Sequence, residues 1–106
     1  SGFAGKIMNN LLSGILTVSD DTLFMLLSML SDSENISMEP SALAGMPGPA
    51  LLQRSKAGIK YLRDYNLTEQ IENGTHIIWG TGGSLVPEDI MKAYYMRGIE
   101  IMKNLI

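Results

Sequence analysis

The run THIIWGTGGSLVPEDI, residues 75–90, constrains the fold more than any other stretch of the chain. Ile77, Ile78 and Trp79 are bulky residues that favour strands, and they lead directly into a glycine-rich turn. Residues 73–80 are therefore predicted to form a turn followed by a strand, Thr75–Gly80. Pro87 with Glu88 and Asp89 then predicts a helix start, proline first and acids where the helix dipole is positive. A strand delivered through glycines into a helix is the join of an α/β layer protein. The stretch EPSALAGM at 39–46 repeats the pattern, with small residues after a short predicted strand, NISME at 35–39.

The remaining elements follow from spacing and punctuation. Phe3, Ile7, Met8, Leu11 and Leu12 recur at helical spacing over 3–13, and Gly14 stops them. Residues 15–18 are apolar and read as a strand or an extended link. SDDT at 19–22 is an N-cap signature for a helix reaching about Ser31, apolar on nearly every side. A further helix from Ala42 breaks at MPGP, 46–49, because proline cannot continue the hydrogen-bond ladder, and resumes to about Asp64. On the last helix Asp89, Lys92, Arg97, Glu100, Lys103 and Asn104 share a polar face. Ile90, Met91, Tyr94, Tyr95, Ile99, Met102 and Leu105 cover the rest, a stripe wide enough to predict packing on two sides. The predicted fold class is α/β, with short parallel strands flanked by helices. Two or three strands leave the sheet incomplete, so more of it is expected elsewhere.

Composition limits what such a unit does. At 106 residues, 45% hydrophobic and 18% charged, with eight methionines, the chain is more apolar and less charged than usual for its size. That balance suggests a surface meant to be covered. A net charge of −3 without a clustered basic face argues against nucleic acid as a partner. The longest apolar run, 23–27, is far short of the roughly 20 residues of a membrane span. No secretory signal is legible at the start. Zero cysteines excludes disulfides and thiolate chemistry and fits a cytoplasmic setting.

In open parallel sheets ligands bind beyond the carboxyl ends of the strands, where both quoted stretches fall. The glycines of GTGGS, 80–84, admit a ligand or another backbone, and Thr81 and Ser84 offer hydroxyls there. A plain turn without a ligand is the alternative. The segment matches neither a Walker loop nor a dinucleotide fingerprint. Glu39 reads either as a ligand for a hard cation, completed by backbone carbonyls, or as an acceptor for N–H groups of the following helix. His76, the lone histidine, reads as structural; Trp79 and the tyrosines read as core; Asp20 and Asp21 read as caps. None of the lysines sits in a setting that would depress its pKa.

Taken in order, SGFAGKIMNNLLSGILTVSDDTLFMLLSML, EPSALAGMPGP and THIIWGTGGSLVPEDIM resemble the C-terminal portion of the D-serine dehydratase (D-serine ammonia-lyase) family. The likeness runs from Ser1 to about Gly98, and residues 99–106 extend past it. It implies a pyridoxal 5'-phosphate enzyme of fold type II, the tryptophan-synthase-β-like group, converting D-serine to pyruvate and ammonia. It also implies that residues 1–106 are one piece of the catalytic domain, with the rest of the same chain as partner. The Schiff-base lysine and the phosphate-binding glycines are expected upstream, so no lysine here receives the catalytic role and the chain alone should not turn over. By likeness Thr81 matches the family's threonine beside the pyridine nitrogen, with Gly80, Gly82 and Gly83 keeping Cβ atoms away from the ring. A neutral hydroxyl there leaves the nitrogen largely unprotonated and favours elimination over transamination. Related enzymes hold a cation with the glutamate of an E-P-S/A segment, which implies Glu39 with the carbonyl of Leu43 as ligands. A sibling hydroxy-amino-acid lyase, or a non-catalytic module whose apolar helix faces bind a protein, are the alternative readings.

Overall fold

The computed structural model describes residues 2–105; Ser1 and Ile106, the ends of the stretch read as one piece, lie outside the described residues. Five α-helices follow one another: α1 Gly2–Met8, α2 Asp20–Glu34, α3 Gly48–Arg54, α4 Lys56–Asp64 and α5 Glu88–Asn104. Short 3-10 turns stand at Pro40–Leu43 and Ile71–Asn73. The described residues are thus helical.

Among them no strand is present, so the expected strands at 35–39 and 75–80, and the parallel sheet they would join, are not seen within these residues. The physical reason is local. A helix satisfies its own N–H and C=O groups, whereas a strand must borrow partners from a neighbour. No strand pairs with 75–80 among the described residues, so the segment is irregular, with Ile77 and Trp79 left outside. Ile77 and Trp79 are each 85% exposed, so Trp79 is not core as the sequence suggested. Residues 14–19 are likewise irregular, which settles 15–18 as a link.

Where a helix can be capped locally, sequence and structure agree. The Ser19 hydroxyl accepts the Thr22 N–H at 3.2 Å, and Asp20 and Asp21 occupy the first turn of α2. The helix runs past Ser31 to Glu34, where Asn35 closes it in the left-handed region at φ 56. The predicted helix up to Asp64 has a second break, at Ser55. This residue ends α3 and caps α4, accepting the Gly58 N–H at 3.0 Å. The first helix is shorter than its spacing predicts, ending at Met8, and buries nothing.

The core gathers around α2. Leu27, Ala42 and Leu43 are buried, with Leu62 of α4 buried separately, and α2 packs on α5 and on the first 3-10 turn. Ser28 is fully buried between the two long helices, its hydroxyl donating to the Tyr95 carbonyl at 2.7 Å. Opposite it stands Gly98, where any Cβ would overlap Ser28 Oγ and the Phe24 carbonyl. The rings of Phe24 and Tyr94 meet with centroids 5.6 Å apart, and the Arg97 guanidinium lies 4.7 Å above Phe24. The six polar residues assigned to one face of α5 are exposed. Its apolar stripe, however, packs chiefly on α2, leaving Ile90 and Leu105 exposed, so the expected second packed side is not filled among the described residues.

The accessible surface is 8377 Å², against roughly 5,800 Å² for a compact monomer of this mass. The radius of gyration is 16.1 Å, against about 13 Å for a compact domain of this length. Both measures describe apolar elements spread out over a small core. No described helix is long and apolar enough to cross a membrane.

Candidate functional site

The two glycine-punctuated stretches meet. Residues 80–83 lie against residues 37–39, which is where the backbone enters the 3-10 turn Pro40–Leu43. Gly82 and Gly83 take positive φ values, 82 and 130, that L side chains rarely adopt. A Cβ on Gly83 would lie 2.7 Å from Met38 Cα and 2.9 Å from the Ser37 carbonyl oxygen. One on Gly80 would lie 2.6 Å from Met38 Sδ, and one on Gly82 2.6 Å from Glu39 Oε1. The close approach that these glycines announce is therefore made, at least on one side, by another segment of the same chain.

Thr81 is exposed on the irregular stretch that precedes the turn at 83–86, while Gly80 and Gly83 are half-buried. His76 is exposed on the irregular stretch leading in. Glu39 is half-buried and does not do what a capping carboxylate does. Its backbone carbonyl accepts the Ala42 N–H at 3.1 Å, but its side chain takes no N–H of the turn. The carboxylate instead receives the Ser41 hydroxyl at 3.5 Å on Oε1. Leu43 is 1% exposed, its side chain in the core and its carbonyl accepting the Met46 N–H at 3.0 Å. Among the described residues no group of three or more His, Asp or Glu gathers to hold a metal ion. The structure thus brings together Glu39, Gly80, Gly82, Gly83 and Thr81, while Leu43 sits one turn further into the core.

Lys60 is raised above its ordinary pKa by its hydrogen bond to Asp64, the opposite of a depressed amine, and it lies on α4 outside the turn. Sequence reasoning missed the junction of 37–39 with 80–83. The signal present was the glycine pair, which tells of a close approach without naming the segment that approaches. What the arrangement offers a ligand is an exposed hydroxyl on a glycine-rich stretch packed against residues 37–39, beside one carboxylate.

The chain is similar to proteins named "Probable D-serine dehydratase". The one from Bacillus mycoides (strain KBAB4) is 57% identical over 101 residues, covering 95% of this chain and 22% of that protein. The one from Bacillus cereus (strain B4264) is 54% identical over the same shares. That from Desulfitobacterium hafniense (strain Y51) is 56% identical over 98 residues, 92% of this chain and 22% of its own length. The chain therefore spans about a fifth of the length of the curated relatives it matches. No family model matches it. The resemblance read from the motifs holds over nearly the whole chain.

Proposed function

We infer that this chain is the portion of a D-serine dehydratase that forms the pyridine-side wall of the cofactor site, within a lyase converting D-serine to pyruvate and ammonia. The observation that carries the reading is the 57% identity sustained over 95% of the chain. The geometry of 80–83 supports it: an exposed threonine on a glycine-rich stretch packed against residues 37–39. A cytoplasmic setting fits the cysteine-free sequence.

The residues present suit the ring-nitrogen edge of pyridoxal phosphate and nothing more of it. When bound, that cofactor supplies the electron sink that lets an amino acid lose its Cα proton and its β-hydroxyl. Thr81 would donate its hydroxyl to the ring nitrogen, which holds the ring in place without protonating it. The lysine and the phosphate-binding glycines would come from the rest of the longer protein, and so would the partner strands for 35–39 and 75–80. For Glu39 the proposal is narrower. A cation held there with the Leu43 carbonyl would draw its remaining oxygens from outside residues 2–105, and a changed ion dependence in full-length Glu39→Gln would support it.

The test is made in the full-length protein. Thr81→Ala should keep the fold and the cofactor but loosen the ring by on the order of 1 kcal/mol, about fivefold in affinity, for one lost hydrogen bond. Thr81→Asp should favour a protonated nitrogen and let transamination products appear. Equal kinetics and cofactor spectra for the wild type and both variants would overturn the role of Thr81. Pyruvate release from D-serine by the 106-residue chain alone would overturn the division of labour.

A further inference from the structure

Between Ile77 and Gly82 the chain alternates. The even-numbered residues rest on the segment 38–45. Ile78 Cγ2 lies 3.4 Å from the place a Cβ on Gly45 would take, and Cβ atoms on Gly80 and Gly82 would meet Met38 Sδ and Glu39 Oε1. The odd-numbered residues turn away from that segment and stay uncovered. Ile77 and Trp79 are each 85% exposed and Thr81 is exposed, whereas Ile78 between them is only 41% exposed. A contact period of two is that of extended chain, although no ladder is formed. Trp79 and Thr81 therefore stand on one face, about 6.6 Å apart along the backbone.

An indole is among the largest apolar groups a chain can present, and one standing almost wholly in water is normally covered by something. The residue beside it names the cover. Thr81 is read as the donor to the ring nitrogen of pyridoxal phosphate, and the one residue between it and Trp79, Gly80, has no side chain and faces Met38. Nothing on their shared face separates the indole from whatever Thr81 holds. We propose that Trp79 is a further cofactor-contacting residue: its indole packs against the pyridine ring at the nitrogen edge and keeps water off the Thr81 hydrogen bond. Apolar walls with a few placed polar groups are the usual makeup of a small-molecule site. Excluding water there strengthens the hydrogen bond electrostatically. It also disfavours charge on the nitrogen, in keeping with a neutral partner such as Thr81. The inference rests on the lyase reading of Thr81.

Full-length protein carrying 5-fluorotryptophan tests it, with Trp79→Phe assigning the fluorine resonance of residue 79. That resonance should move when the cofactor is stripped and return when pyridoxal phosphate is added back. Trp79→Leu should bind pyridoxal phosphate about 2–10-fold more weakly, the scale of one lost aromatic pair, and Trp79→Phe should lose less. Circular dichroism checks that both variants keep the fold. A residue-79 resonance that is the same with and without cofactor would overturn the contact, whatever the variants do. So would a folded Trp79→Leu protein that holds the cofactor as tightly as the wild type, because the moving resonance would then report a general rearrangement. Should Trp79→Leu fail to fold, the resonance in the unsubstituted protein and the cofactor affinity of Trp79→Phe decide. The lyase reading fails by a different result, a wild-type protein that takes up no pyridoxal phosphate and releases no pyruvate from D-serine.

Discussion

Helices α2 and α5 and the stretch 75–86 are all rich in apolar residues, yet only the first pair has the look of a finished structure. Along α2 and α5 the backbone closes on itself, Ser28 bonds across to the Tyr95 carbonyl, and Gly98 lets the axes come close. Along 75–86 no ladder forms; Ile77 and Trp79 are 85% exposed and Leu85 96% exposed. The contrast is one of bookkeeping in hydrogen bonds, not of hydrophobicity. A helix completes its backbone from within and needs a neighbour only for its side chains. A strand needs a neighbour for both.

The sharpest way to break this comparison is at Trp79. If partner strands from the longer protein cover 75–80, the indole is buried there and exposed here. Trp79→Ala should then cost about 3–5 kcal/mol in the full-length protein, as for other buried aromatic truncations. In the 106-residue chain it should change stability by less than about 0.5 kcal/mol, as at a surface position. Urea melts of both proteins measure the difference. A small effect in both would mean that 75–80 is uncovered in the full-length protein too.

The same distinction explains what was legible in the sequence. Ser19, Asp20 and Asp21 announced the start of α2, and Pro87, Glu88 and Asp89 the start of α5, because a helix terminus is a contract between residues a turn apart. The break at Ser55 was readable by the same rule and was missed. Its hydroxyl caps Gly58, and that residue must be glycine because any Cβ would strike the Leu52 backbone. The strand at 75–80 was read from side chains, but a strand needs a partner to pair with, and none pairs with it among the described residues. At the site, the glycines of 80–83 told of close approach. Nothing local could tell that Met38 and Glu39 were the residues approaching, since that contact spans more than forty positions and is set by how α2 and α5 pack.

A smaller effect, and one expected in both proteins alike, belongs to Gly98. It lies at the finished crossing, where a methyl would fall on Ser28 Oγ and the Phe24 carbonyl. Gly98→Ala gains about 1 kcal/mol of helix propensity. Overpacking at such a contact costs about 1–3 kcal/mol, with more where backbone rather than a side chain must yield. The Phe24 carbonyl is backbone, so the clash should win and the thermal midpoint should fall. Adding Ser28→Ala removes the oxygen from the contact and should return part of the loss despite the forfeited bond to Tyr95. A double variant no more stable than Gly98→Ala would place the strain on the Phe24 carbonyl alone.

The smallest expected effect comes from the polar edge of the same crossing, where the Tyr95 hydroxyl donates to Asp32 Oδ1 at 2.7 Å. That hydrogen bond, helped by desolvation and by the negative charge of Asp32, raises the Tyr95 pKa above its ordinary value of 10.0. The sign follows from which form the bond stabilises. The neutral phenol donates to the carboxylate, whereas a phenolate would be repelled by it. In the unfolded chain Tyr95 titrates at about 10, so the stabilisation is fully present below that pH. It is lost as pH rises through the higher folded value. Tyr95→Phe should therefore be slightly less stable than the wild type at neutral pH. The gap should close in strongly alkaline solution, where the wild type loses the same bond. Asp32→Asn keeps an acceptor without the charge, and should bring the Tyr95 titration back toward 10 while sparing most of the neutral-pH stability. Ultraviolet titration of the phenolate beside thermal melts at each pH separates the two contributions. A stability difference that persists unchanged through the titration would show that the Tyr95 hydroxyl is not what α5 draws from this residue.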